Sequence, residues 1–202
     1  MALTERNVTV RGRLSFPDLF KARKANDQAE AKFGATLLIP KSDTATVAAI
    51  QNAINAAVQK GVKDGKFKGT IDPSKTKYPP LRDGDSLTDS GEARGPEYAG
   101  HWFISAKSPE SRPPMVLDKQ RQPIFNEDDI YPGCYVYMAL EFYPYENSGN
   151  KGIAPALIGV MFDADGERFG DAPLEAADVF GMVGTPPVAS TTDAAASNDD
   201  WL

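Results

Sequence analysis

Between residues 7 and 16 apolar and polar positions alternate, with Val8, Val10, Gly12, Leu14 and Phe16 on one side and Asn7, Thr9, Arg11, Arg13 and Ser15 on the other. Period 2 predicts a half-buried strand carrying two arginines outward. A polar stretch with Lys21, Arg23 and Lys24 reads as a loop, and residues 32–39 form a second β-rich run ended by Pro40, which has no N–H for a ladder. Over residues 43–60 the period changes: Val47, Ile50, Ile54, Ala57 and Val58 fall on one helical stripe, with Ser42 or Asp43 as N-cap and Gly61 just past the end. Residues 62–100 are rich in Lys, Asp, Gly and Pro with little apolar periodicity, which predicts a long excursion with at most short elements. Strand patterns resume at residues 101–107, 115–118, 131–145 and 152–162. Two strands, one helix and then several strands joined by turns predict a mainly β (α+β) domain built on a small closed or partly closed barrel.

Residues 131–145 carry the first functional signal. Cys134, Val136, Met138, Leu140 and Phe142 make one face, and Tyr135, Tyr137, Ala139, Glu141, Tyr143 and Tyr145 the other. An outer strand face with four tyrosines suits stacking on nucleobases, worth about 1–3 kcal/mol per base. Tyrosine is also a good strand former that tolerates half-exposed positions. His101, Phe103, Ser105 and Lys107 share a second face, opposite Trp102, Ile104 and Ala106. The candidate stacking residues are therefore Tyr135, Tyr137, Tyr143, Tyr145, Phe103 and Trp102. Candidate phosphate contacts are Arg11, Arg13, Lys21, Arg23, Lys32, Arg82 and Lys107, basic side chains able to line a groove along the backbone. Arg82 lies in the motif Pro79-Pro80-Leu81-Arg82-Asp83-Gly84-Asp85, where a rigid turn pairing Arg82 with Asp83 or Asp85 competes with a phosphate role.

Charge changes the picture only when divided along the chain. The 202 residues carry a formal −6, but residues 1–151 hold 21 basic and 19 acidic side chains, whereas residues 152–202 hold Arg168 against nine acids. A basic face on the folded body is compatible with the low overall pI. Residues 181–197, almost entirely Gly, Thr, Pro, Val, Ala and Ser, offer too little burial to offset the entropy of ordering, so we expect a folded domain at 1–180 and a disordered linker and acidic tail at 181–202. The tail ends Asp199-Asp200-Trp201-Leu202, two carboxylates and two large apolar side chains, the layout of a docking peptide. One cysteine, Cys134, permits no internal disulfide and reads as a small core residue. No apolar run approaches the roughly 20 residues of a membrane span, and the first ten residues lack a signal-peptide core, so the expectation is a cytoplasmic protein.

Catalytic and metal motifs fail on their spacing, and the expectation is a binder that is no enzyme and needs no cofactor or metal. Gly61-Val62-Lys63-Asp64-Gly65-Lys66 has three residues between its glycines where a phosphate loop needs four, and it follows a helix. Asp163-Ala164-Asp165-Gly166-Glu167 lacks the sixth-position glycine and twelfth-position glutamate of a calcium loop. Glu127-Asp128-Asp129 has no second acidic motif to complete a Mg²⁺ nuclease site, and His101 has no identifiable catalytic partner.

A set of ordered blocks carries a resemblance: Arg13-Leu14-Ser15-Phe16, Phe33-Gly34-Ala35-Thr36-Leu37-Leu38-Ile39-Pro40-Lys41-Ser42-Asp43, Leu81-Arg82-Asp83-Gly84-Asp85, Tyr98-Ala99-Gly100-His101-Trp102-Phe103-Ile104, Tyr131-Pro132-Gly133-Cys134-Tyr135, Gly149-Asn150-Lys151-Gly152-Ile153 and Asp165-Gly166-Glu167-Arg168-Phe169-Gly170. Over residues 7–180 the chain resembles the single-stranded-DNA-binding proteins of tailed bacteriophages. The resemblance implies one OB-fold, a five-stranded partly open Greek-key barrel, here with a long insertion. It also implies a role in coating single strands during replication or recombination without strong sequence preference. The tail is similar in kind to those of bacterial and T7-like single-strand binders, which recruit replication proteins and compete with DNA for the basic groove, but it ends in Leu with Trp before it. A second reading stays open, in which the tyrosine face of a β-rich phage interaction or virion protein meets another protein; a metal-dependent nuclease is a third.

Overall fold

The computed structural model describes residues 3–147 and 149–170. In chain order the elements are β1 (Asn7–Arg23), β2 (Lys32–Pro40), α1 (Thr44–Lys63), β3 (Arg82–Asp83), β4 (His101–Pro109), β5 (Met115–Leu117), β6 (Tyr135–Asn147) and β7 (Asn150–Ala164), with single 3-10 turns at Pro73–Lys75, Pro96–Tyr98 and Glu127–Asp129. The strands form one sheet in the order β3-β4-β2-β1-β6-β7-β5. A parallel bridge between Lys107 of β4 and Ala156 of β7 closes β1, β2, β4, β7 and β6 into a five-stranded barrel. The alternating patterns and the lone helix implied a small barrel and the family resemblance an OB-fold, and the barrel is of that type.

The inward positions of each strand fill the barrel. Val10, Leu14, Leu37, Ile39, Val136, Met138, Leu140, Phe142, Ile153, Leu157 and Val160 are all at most 4% exposed, and α1 packs its Ile50, Ile54, Ala57 and Val58 stripe against them. At Gly12 a side chain would run into the Leu38 carbonyl and the Leu37 side chain, so β1 and β2 approach as closely as they do because nothing projects there. Cys134 sits in this core, and burial pushes its thiol pKa up to about 11.

Three local expectations are corrected. Strand β1 does not stop at residue 16: it runs to Arg23, which pairs with Lys32 across the turn to β2, so Lys21 and Arg23 are strand residues and not loop residues. The helix, capped by the Asp43 carboxylate accepting from the Thr46 N–H at 3.1 Å, continues through Gly61 to Lys63. Gly61 is buried against Phe67 and Pro144, so its role is close packing within the last turn and not chain reversal. Phe16 does not share the face of Leu14. The β1–β2 register shifts between Ser15 and Asp18, Phe16 takes a positive φ of 45°, and its ring turns out to 69% exposure while Ser15 is buried in its place. A bulge of this kind re-aims the side chain that follows it.

Candidate nucleic-acid interface

Cross-strand pairing builds the outer face of the barrel in rows. Tyr135, Arg13, Leu38, Phe103 and Arg82 stand opposite one another in successive pairs across β6, β1, β2, β4 and β3. The next row is Ser15, Thr36 and Ser105, and beyond it Gly34 pairs with Lys107. Beside these rows lies an open groove of about 600 Å³. Its floor includes Gly34, Thr36 and Ser105, its rims carry Phe16, Tyr78, Tyr143 and Tyr145, and Lys32, Arg82, Arg94 and Lys107 supply positive charge.

The groove gathers four cations that have no carboxylate partner, a state that Arg13, Lys21 and Arg168 share elsewhere among the described residues. Among the described residues, Lys32, Arg82, Arg94 and Lys107 make no ion pair, whereas Arg6, Arg11, Arg23, Lys41, Lys60, Lys75, Lys119 and Lys151 each have a carboxylate within 4 Å. Asp18 also lines the groove but is taken by Arg23 at 2.6 Å. Arg82 donates to the Ser105 hydroxyl at 2.9 Å, which bonds that of Thr36 at 2.8 Å. Burial, and then the nearby Arg94 charge, press the pKa of Arg82 down from its ordinary value. Two groove residues also carry buried polar atoms without a partner, Arg94 Nε and the Tyr145 hydroxyl. An orphaned buried donor costs roughly 1–3 kcal/mol.

The aromatic candidates separate by position. Tyr143 and Tyr145 line the groove, Tyr143 being 43% exposed. Tyr135 and Tyr137 occupy the other end of the same outward face of β6, away from the groove, and Tyr135 lies under Arg11 at 4.5 Å. Phe103 faces the groove but is 2% exposed, packed edge-on against Tyr98 and covered by Arg82 and Arg94. Trp102 is on the opposite side of β4, with Lys41 Nζ 5.2 Å from its ring centroid.

The cations separate in the same way. Lys32, Arg82 and Lys107 line the groove. Arg11 is held by Asp163 at 2.8 Å, and that hydrogen bond keeps the Asp163 carboxyl below its usual pKa. Arg13 donates to the carbonyls of Gly133 and Glu167 and covers Phe169 at 4.2 Å, which fixes the segment after β7 to the barrel. Lys21 and Arg23 line a separate hollow of about 270 Å³ with Glu127, Asp128 and Arg168. The expected pairing of Arg82 with Asp83 or Asp85 does not form; Lys41 takes both carboxylates, at 2.5 and 2.6 Å. The domain boundary at 180 and the tail residues Asp199, Asp200, Trp201 and Leu202 lie outside the described residues.

Sequence reasoning missed Phe16, Tyr78 and Arg94. Phe16 was hidden by an alternation that the bulge interrupts. Tyr78 and Arg94 sit in the excursion at residues 62–100, where no periodicity marks a face and Phe67, Tyr98 and Arg82 repeat the same residue types, so residue type alone does not single them out.

A sequence model for the single-stranded-DNA-binding protein of Enterobacter phage Enc34 matches residues 6–193. The chain belongs to the Enc34 single-stranded-DNA-binding protein family. A further member-like relative, putative protein p50 of Acyrthosiphon pisum secondary endosymbiont phage 1, is 38% identical over 177 residues, covering 84% of this chain and 91% of the relative. The Enc34 protein solved in complex with single-stranded DNA is 30% identical with a TM-score of 0.64, over 81% of this chain and 89% of that one. The gp2.5 single-stranded-DNA-binding protein of bacteriophage T7, 16% identical with a TM-score of 0.53 over 84% of this chain and 97% of its own, shares the fold. Enc34-family membership thus covers the whole barrel and every residue of the groove.

Proposed function

We infer that this protein binds single-stranded DNA in the groove between β2, β4 and β6, with little dependence on base sequence and without catalysis. The observation that carries the reading is the set of cations without carboxylate partners, Lys32, Arg82, Arg94 and Lys107, beside the exposed rings of Phe16, Tyr78 and Tyr143. Unpaired cations are free to replace the counterions of a phosphate backbone, and every base has a face for an aromatic ring to stack on. The solved complex of the Enc34 protein with single-stranded DNA supports the assignment. A groove that offers charge to phosphates and ring faces to bases suits a protein that coats exposed strands during phage DNA replication or recombination in the host cytoplasm.

The acidic C-terminal residues Asp199, Asp200, Trp201 and Leu202 have a separate role in this scheme. They recruit replication or recombination proteins and, in the absence of DNA, compete for the cationic groove. Deleting residues 197–202 then tightens DNA binding and abolishes recruitment; a deletion that changes neither refutes the tail's role.

The groove is tested by fluorescence anisotropy of a labelled oligo-dT at two salt concentrations, with the matching duplex as competitor. The expected result is tight binding that weakens log-linearly with salt, with a slope of about −0.7 per phosphate neutralised, and that duplex fails to displace. No binding at low salt, with the tail removed as well, refutes the reading and makes the aromatic rim a protein-contact surface.

A further inference from the structure

We propose that Arg82 and Arg94 together grip one backbone phosphate, forming a two-arginine clamp seated on Phe103 that anchors the strand in the groove. The inference rests on the groove being the single-strand path. Arg82 is the cross-strand neighbour of Phe103 in the β3–β4 pair, and Arg94 reaches the same ring from the loop between β3 and β4. Their guanidinium carbons lie 4.4 and 4.7 Å from the Phe103 centroid. The two carbons are therefore no more than about 9 Å apart whichever side of the ring each takes. Both guanidiniums line the same groove, so one phosphate entering it meets the two together, through charge-assisted N–H···O bonds of about 2.8 Å from each of its two free oxygens.

Three features make this pair a poised anion site and not a surface coincidence. Both guanidiniums line the groove, and neither has a carboxylate within ion-pair distance among the described residues. Arg94 carries a buried Nε without a partner, while its Nη2 makes only a long 3.4 Å contact to the Leu87 carbonyl. Arg82 is held in place by the Ser105 hydroxyl, itself bonded to Thr36, so its fork is oriented before any ligand arrives. Two like charges over one apolar ring repel each other, and an oxyanion between them removes that repulsion. Lys32 and Lys107, by contrast, are exposed point charges on flexible stems and fit the following phosphates without fixing them.

Sharing has a specific signature in salt dependence. Arg82→Gln and Arg94→Gln keep a flat polar group over Phe103 while removing one charge each. Oligo-dT affinity is measured for the full chain, both single variants and the double variant across a salt series, with thermal melts alongside. If the arginines share one phosphate, each single variant loses roughly 10- to 100-fold in affinity but keeps the wild-type salt slope, because the partner still neutralises that phosphate. The double variant alone flattens the slope, by about 0.7. Slopes that fall by about 0.7 in each single variant and about 1.4 in the double mean two separate phosphates and overturn the clamp. A double variant with wild-type slope and affinity also overturns it, by placing both arginines off the strand path while the protein still binds DNA. Failure of the wild-type chain to bind oligo-dT removes the clamp together with the function it rests on. If the glutamine pair melts early, the double Arg82→Lys, Arg94→Lys variant decides: both charges remain, so the slope holds, and the lost forks cost roughly tenfold in affinity. Undiminished affinity in that variant refutes a role for paired guanidinium geometry.

Discussion

Phe16 offers the sharpest separation of binding from folding. Its φ of 45° lies in the left-handed region, which costs a residue with a bulky side chain about 1–2 kcal/mol, and at 69% exposure it keeps only about a third of its surface buried. An aromatic of about 200 Å² then contributes about 60 Å² of burial, or roughly 1.5 kcal/mol at 25 cal per Å². Asparagine tolerates the same backbone conformation, so Phe16→Asn loses most of that burial but recovers most of the strain. The two effects nearly cancel, and unfolding free energy from denaturant titration should stay within about 1 kcal/mol of wild type. Binding should not stay constant: loss of one stacked base costs about 1–3 kcal/mol, an approximately 5- to 150-fold rise in Kd for oligo-dT. A stability loss of about 3–5 kcal/mol, the scale for truncating a core aromatic, would show that the ring is structural. Unchanged Kd with unchanged stability would refute stacking at Phe16.

Gly34→Val should leave the fold intact and weaken oligo-dT binding. Its Cβ would meet the Ala106 carbonyl at 3.5 Å and Lys107 Cγ at 3.6 Å, ordinary contacts, yet it rises from the groove floor; a melt that falls before binding does would refute this. Lys107→Ala should flatten the salt slope by about 0.7, whereas Arg23→Ala, whose partner is Asp18 at 2.6 Å, should leave it nearly unchanged; equal slopes for the two variants would place the strand elsewhere. Cys134, fully buried with its thiol pKa raised to about 11, should resist alkylation in the native protein at pH 8 and react on unfolding. Because the folded state holds that proton more tightly than the unfolded chain does, its contribution to stability is complete below about pH 9 and is lost as pH rises toward about 11. Native-state labelling at the unfolded rate would contradict this burial.

Much of the barrel was legible because strand alternation and helical spacing respond directly to burial. The inward set of β6, Val136, Met138, Leu140 and Phe142, is fully buried as the pattern required, and the stripe of α1 packs as its spacing required. The site was harder to read because it depends on exceptions to those periods. A period-2 rule puts Phe16 with Leu14, and only the bulge at residues 15–18 reverses it. Strand faces also say nothing of position along a curved barrel: Tyr135 and Tyr143 share one face of β6, but only the latter reaches the groove. Arg11 and Arg94 are indistinguishable in a charge count, and what separates them is the carboxylate of Asp163, 152 positions from Arg11 in sequence.

The closure of the barrel has a consequence for how the ring opens. Among the described residues the β4–β7 ladder is a single bridge, Lys107 to Ala156, and Lys107 is also one of the groove's cations, with Pro155 and Ala154 lining the groove as well. The thinnest ladder of the ring therefore runs beside the groove proposed for the DNA strand. A chain lying there bridges both sides of the seam, so parting the barrel and releasing the strand become a single event. Amide hydrogens along β4 and β7 should then exchange more slowly when the groove is filled, because the ligand itself holds that seam shut.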